Sequence, residues 1–210
     1  MTGNPMFLSS RSYFESLSTV LSCVPHDTVD AIGEKLYSCF EEGRTLFLMG
    51  NGGSAALASH LACDLGKGVT ECASTDKRLR VIALNDNIPL MTAWANDRSY
   101  EEVFMEQLRN LLQPGDLVFS ISGSGNSKNV LKALQFARDA GAFIIGLGGN
   151  AGGKMKALCD ICLVVPSDNM QHIEDLHLCI GHSLFSTLRS RVSLSESVCG
   201  AGASRDRFGR

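Results

Sequence analysis

Five short apolar runs, each set apart from the next by a segment of helical period, constrain this chain more than any other feature. They are Thr45 to Met49, Arg80 to Leu84, Leu117 to Ile121, Phe143 to Leu147 and Ile161 to Val165. Each is nearly continuous in apolar residues instead of alternating, the pattern of strands buried on both faces of a parallel sheet. Between them, Ala55 to Leu65, Pro89 to Ala95, Tyr100 to Leu112, Asn126 to Ala140 and Gly153 to Leu158 carry helical spacing. Such alternation predicts an α/β chain, a three-layer α/β/α sandwich around a five-stranded parallel sheet. Two extra helices, roughly Ser12 to Leu21 and Asp27 to Glu42, precede the first strand and are separated at Pro25. A last helix is expected from about Met170 to Arg191, and residues 1–192 read as one domain. Ser193 to Arg210, rich in Ser and Gly with no hydrophobic period, is expected to be a disordered tail.

Composition narrows the class of function. With 44% hydrophobic and 20% charged residues the chain is too apolar to be disordered, and no apolar run reaches the roughly 20 residues of a membrane-spanning helix. Nineteen Lys and Arg against 22 Asp and Glu, with no basic stripe, offer little to nucleic acid or to an anionic membrane surface. Met1 to Ser10 lack a basic segment leading into an apolar run, so cytoplasm is the expected compartment. In a reducing compartment Cys23, Cys39, Cys63, Cys159, Cys162 and Cys179, which lie in periodic segments, are expected as small buried hydrophobes. Cys159 and Cys162 share the CxxC spacing of zinc ribbons and redox motifs, with no second CxxC to complete a four-cysteine site.

Two loops carry the chemistry of anion binding. Gly50-Asn51-Gly52-Gly53-Ser54 follows the first strand and opens a helix, so backbone N–H groups and a helix N-terminus point the same way. Ser122-Gly123-Ser124-Gly125-Asn126-Ser127 follows the third strand and also opens a helix, adding hydroxyls to the backbone donors. Both would lie at the C-terminal edge of a parallel sheet, where open α/β folds bind ligands. Neither matches GxxxxGK[ST] or GxGxxG, which favours a phosphorylated small molecule over a nucleotide. His60 and Asp64 share a helical face, and Glu174 and His182, eight residues apart, also return to one face. Such a set suits either Zn2+ or acid–base chemistry, and equally an ordinary polar face. His172, Asp175 and His177 lie in the same last helix, and spacing does not choose among them.

Taken in order, Gly50-Asn51-Gly52-Gly53-Ser54, Asn96-Asp97, Ser122-Gly123-Ser124-Gly125-Asn126-Ser127 and Ile173-Glu174-Asp175-Leu176-His177 resemble the SIS (sugar isomerase) domain of the phosphoheptose isomerases. The likeness runs from about Ser12 to Arg191. It implies a flavodoxin-like sandwich and the isomerisation of sedoheptulose 7-phosphate to D-glycero-D-manno-heptose 7-phosphate through an enediol, the first step toward nucleotide-activated heptose. It further implies a cytoplasmic homotetramer with active sites between subunits and one Zn2+ per subunit. Carried over by position, Asn51, Gly52, Gly53, Ser54, Asn96 and Asp97 would meet the sugar, together with Glu174. Ser122, Gly123, Ser124 and Ser127 would hold its phosphate. The metal ligands would be His60, Asp64, Glu174 and His182, with Asp64 as catalytic base and His182 as acid.

Three positions depart from the family pattern. Asp64 stands where Glu is usual, Glu174 where Gln is usual, and Gly123 where Thr is usual. The same domain also occurs in a non-catalytic adaptor that binds the bacterial replication initiator, in phosphosugar-sensing regulators, and in isomerases of other phosphosugars. The adaptor reading predicts loss of the acid–base pair, and here Asp64 and His182 keep acid–base types. The sensing regulators append a DNA-binding module, for which no room is expected before Ser12 or after Arg191.

Overall fold

The computed structural model describes residues 7–70 and 76–203, with side chains through residue 195. Helix α1 (Ser10–Leu21) starts two residues earlier than its periodicity suggests, because Ser9 caps it and forms a capping box with Ser12. Helix α2 (His26–Glu42) begins after Pro25 and stops at Gly43, whose φ of 66° no β-branched residue would adopt readily. Strand β1 (Thr45–Gly50) then leads into α3 (Gly53–Cys63), which runs on into a π-type turn over Asp64–Gly68.

Strand β2 (Arg80–Ala83) is followed by α4 (Ile88–Asp97), capped by the Asn87 side chain and opened by Pro89. A 3-10 turn (Tyr100–Glu102) precedes α5 (Val103–Leu111). After β3 (Leu117–Ser122) come α6 (Lys128–Asp139) and β4 (Phe143–Gly149). The segment expected as a helix at 153–158 is a short 3-10 turn, Lys154–Leu158, leading to β5 (Ile161–Val165). Helix α7 (Met170–Ala203) closes the chain.

All five strands are parallel, in the order β2-β1-β3-β4-β5. This is the doubly wound arrangement whose switch point lies between β1 and β3. Two apolar layers flank the sheet. On one face α2, α3 and α7 pack Ile32, Leu36, Phe40, Leu61, Leu176 and Leu184 against Leu48, Phe119 and Leu147. On the other α5 and α6 pack Phe104, Leu108, Val130 and Leu134 against Phe47, Met49 and Val118.

Three expectations need correcting. Strand β2 is not buried on both faces: it is an edge strand, with only Ala83 buried and Ile82 37% exposed. Of the six cysteines named above only Cys39 is buried, whereas Cys159 and Cys162 are half-buried and Cys23, Cys63 and Cys179 fall on outward faces. Helix α7 does not end at Arg191. It takes up residues 193–203 of the stretch read as a tail, because extending an existing helix avoids the costly step of nucleation. Residues 204–210 lie outside the described residues.

Candidate active site

Strands β1 and β3 are neighbours, with Gly50 opposite Ile121, so the two glycine-rich loops leave the same edge side by side at the switch point. Helix α7 spans both. A β-carbon on Gly123 would lie 2.6 Å from the Met170 sulfur, and one on Gly53 would lie 2.7 Å from Glu174 Oε1. Each loop therefore meets α7 through a glycine, and a side chain in either place would have to displace the end of Met170 or of Glu174. A threonine at position 123 would have to displace the Met170 side chain, whose sulfur occupies that space.

Lower on α7, Gly181 performs the same service against α3. Its missing β-carbon would stand 2.7 Å from Leu61, a core side chain that is 1% exposed. The close approach sets the next residue, His182, beside His60, with their Nε2 atoms 2.8 Å apart. Asp64, the first residue of the π-type turn, brings Oδ2 to 3.3 Å from His60 Nε2 and 3.9 Å from His182 Nε2. One ligand atom from each of the three lies within 4.8 Å of the others, a spacing that could hold a metal ion. π-type turns inside helices recur at such sites because they re-aim one side chain without ending the helix. Gly181→Val should wedge α3 from α7: we expect turnover to fall about tenfold or more, with thermal stability reduced, since overpacking costs roughly 1–3 kcal/mol. Activity and melting measurements on the variant check this.

Glu174, the fourth predicted ligand, does not join the triad. Its carboxylate rests against Gly53 at the N-terminus of α3, where partial positive charge attracts an anion. It does share a cavity of about 330 Å³ with Gly53, Ser54, His60, Asp175 and His177. That volume suits a small-molecule ligand.

The remaining predicted residues divide clearly. Gly52 takes a φ of 56° at the N-cap of α3, and Ser54 is buried in its first turn. Asn51 is held by groups that no sequence pattern singles out. Its amide exchanges reciprocal bonds with Asn129 of α6 (2.9 and 2.8 Å), and its oxygen also accepts from Tyr100 Oη at 2.9 Å. One Nδ2 hydrogen of Asn51 remains for a ligand. Asn96 donates to Asp97 Oδ1 at 2.9 Å, and both are exposed at the end of α4, outside the cavity.

In the second loop, Ser122 is buried and its Oγ accepts the Gly125 N–H, while Ser124 Oγ accepts the Asn126 N–H. Ser127 occupies the N-cap of α6 with no side-chain cap bond, while the Val130 N–H of the first turn is taken by Asn129 Oδ1.

His177 is buried, 1% exposed, with Nε2 at 3.0 Å from the Gly148 carbonyl and Nδ1 without a partner. Burial lowers its pKa from 6.5 to about 4, against a smaller raising effect of the Gly148 bond. The ring is therefore neutral, with the proton on Nε2. Because the folded value is depressed, its contribution to stability is complete above pH 6.5 and is lost as pH falls toward 4. The loss amounts to roughly 3 kcal/mol at 1.36 kcal/mol per unit. Urea titrations across that window should show the slope, and His177→Gln should flatten it.

The sequence profile of the SIS domain matches residues 12–149, from α1 to the end of β4. A phosphoheptose isomerase from Helicobacter hepaticus is 40% identical over 191 residues, covering 90% of this chain and 91% of the relative. Another, from Trichlorobacter lovleyi, is 43% identical over 156 residues, covering 74% and 78%. Among solved structures, the phosphoheptose isomerase of Neisseria gonorrhoeae superposes with a TM-score of 0.78 at 28% identity, covering 86% of this chain and 96% of its own. With the switch-point loops, the parallel sheet and the His-Asp-His cluster all in place, these likenesses span nearly the whole fold: the chain belongs to the phosphoheptose isomerase family and is built on its SIS domain.

Proposed function

We propose that this protein interconverts sedoheptulose 7-phosphate and D-glycero-D-manno-heptose 7-phosphate, an aldose–ketose isomerisation that opens nucleotide-activated heptose synthesis. The observation that carries the reading is the convergence of His60, Asp64 and His182 where α3 meets α7, the helix that also packs on the serine loop through Met170. In this reading the 122–127 loop and the first turn of α6 hold the phosphate. Asn51 offers its remaining N–H to a sugar hydroxyl, and Glu174 lines the cavity for the chain of the sugar.

The chemistry of the open-chain ketose needs one proton moved between carbons and one between oxygens. Asp64 turns Oδ2 toward the two imidazoles, which leaves Oδ1 to take the proton from C1. As the C1–H pair forms the C1=C2 bond of the enediol, His182 donates a proton to the former carbonyl oxygen on C2. Asp64 then returns its proton to C2, and the C2 oxygen stays protonated as a hydroxyl. Removal of the proton on the C1 oxygen by the neutral His182 gives the aldehyde and restores both groups.

Zn2+ fits the donor set. Two imidazoles and a carboxylate within 4.8 Å match its ligand preference, and Glu174 could join only by leaving Gly53. When bound, such an ion would supply Lewis-acid stabilisation of negative charge on the substrate oxygens. The side chains of His60 and His182 are 45% and 50% exposed, which favours an assembly in which a second copy covers the site; we read it as a cytoplasmic homotetramer.

Turnover of sedoheptulose 7-phosphate is the test, run beside unphosphorylated sedoheptulose and on protein stripped with a chelator and reloaded with Zn2+. The account expects conversion of the phosphorylated sugar, little of the other, and recovery on reloading. No conversion by zinc-loaded protein would overturn it. Ser124→Ala with Ser127→Ala should raise KM about tenfold or more with kcat less affected, since two hydroxyl contacts at about 1 kcal/mol each are removed.

A further inference from the structure

The CxxC segment has no part in the site described above, yet it lies one short turn away from it. Cys162 in β5 stands opposite Gly146 in β4. A β-carbon on Gly146 would fall 2.6 Å from Cys159 Sγ and 3.2 Å from Cys162 Sγ, so both sulfurs occupy the space that this glycine leaves open. Both residues are half-buried, within reach of a small oxidant. Cys159 also donates its S–H to the Met155 carbonyl at 3.2 Å, closing the Lys154–Leu158 turn from behind.

The front of that turn supports the serine loop. Met155 N–H donates to the Gly125 carbonyl at 2.9 Å, Lys154 N–H donates to Asn126 Oδ1 at 3.1 Å, and Gly152 and Gly153 pack directly on Gly125. The loop and the dithiol thus meet at one residue of this five-residue element, the loop through the Met155 N–H and Cys159 through the Met155 carbonyl. The two thiols also differ in acidity. The neighbouring Cys159 sulfhydryl and then the charge of Lys156 lower the pKa of Cys162, while Cys162 and burial raise that of Cys159. Cys162 is therefore the thiolate-forming partner.

We propose that Cys159 and Cys162 are a redox-active dithiol, closed to an intrachain disulfide by hydrogen peroxide, and that closure loosens the 122–127 loop. The Cys162 thiolate attacks one peroxide oxygen, breaking the O–O bond, and hydroxide leaves and is protonated to water. Cys162 becomes a sulfenic acid. Cys159 sulfur then attacks the Cys162 sulfur, its proton leaves with the sulfenic hydroxyl as a second water, and the S–S bond forms. Two thiols are oxidised by two electrons and one peroxide is reduced to two waters. The disulfide has no S–H to donate, so the bond from Cys159 to the Met155 carbonyl is lost from the turn that supports Gly125 and Asn126.

The test treats the full chain with hydrogen peroxide and compares it with the double variant Cys159→Ser, Cys162→Ser, which keeps the exposed Cys23, Cys63 and Cys179. The expected result is a peptide containing residues 159–162 that is lighter by two hydrogens, resists alkylation and is restored by dithiothreitol. KM for the sugar phosphate should rise roughly fivefold, the low end of coupling between sites, with kcat less affected. KM of the double variant should not respond to peroxide. If both thiols remain alkylatable, or oxidise without bridging, the dithiol assignment is overturned. If the bridge forms while KM stays constant, or if peroxide raises KM of the double variant equally, the link to the loop is overturned. The mass measurement stands apart from the proposed isomerase activity, whereas the KM arm rests on it.

Discussion

Asp64→Asn should reduce turnover by roughly a thousandfold while leaving the protein folded, the middle of the range for removal of a positioned general base. The substitution keeps the size of the side chain, its place in the π-type turn and its contact with both imidazoles. It removes only the capacity to accept a proton and the negative charge. Asp64 is 25% exposed and outside the apolar core, so the change in stability should be small, within about 1 kcal/mol. Steady-state rates and a denaturant titration on the same preparation separate the two effects. Lost stability together with lost activity would mean that Asp64 holds the α3–α7 junction instead of moving a proton.

The second large effect concerns the serine loop. Gly125 adopts a φ of 62°, and a β-carbon there would lie 2.0 Å from the Gly152 carbonyl oxygen. The obstacle is backbone and cannot rotate away. Gly153, itself at φ 56°, presses back on the Ser124 and Gly125 carbonyls, so the two loops interlock through glycines on both sides. Gly125→Ala should therefore destabilise the fold by about 4 kcal/mol or more, combining the left-handed backbone penalty with a main-chain clash. Any folded fraction should bind phosphorylated sugar poorly, because the displaced segment carries Ser124 and leads into the N-terminus of α6. Thermal melting and ligand titration read the two consequences.

The sheet was the most legible part of this chain because parallel strands covered by helices must be apolar throughout, and β5 begins and ends where its run does. β2 misled for the same reason: its run is as apolar as the others, but an edge position depends on strand order, which no local pattern encodes. The helical spacing of His60 and Asp64 predicted one shared face, and the structure brings the two together. That His182 joins them depends on Gly181, whose role appears only when Leu61 of another helix is placed against it. Glu174 shows the reverse case. Its spacing from His182 is right, yet its carboxylate lies at the N-terminus of α3, a long-range partner that spacing along α7 cannot reveal.

Asn129 and Tyr100 were hidden for a related reason. Nothing in the local sequence marks an Asn one residue into a helix as the partner of an Asn in another loop 78 positions earlier. The family resemblance supplied roles for residues, and the fold supplies the reasons some of them differ here. At Gly123, where the resemblance records a missing hydroxyl, the Met170 sulfur occupies the space of a side chain.

On the proposed mechanism the groups gathered between α3 and α7 move a proton between the first two carbons of a phosphorylated ketose. The most direct test follows sedoheptulose 7-phosphate by NMR in D2O with zinc-loaded protein. The account predicts the appearance of aldose anomeric signals, with deuterium entering at C2 from the base, and neither change with Asp64→Asn. A ketose that binds but keeps its spectrum unchanged in the presence of the unmodified protein would contradict it.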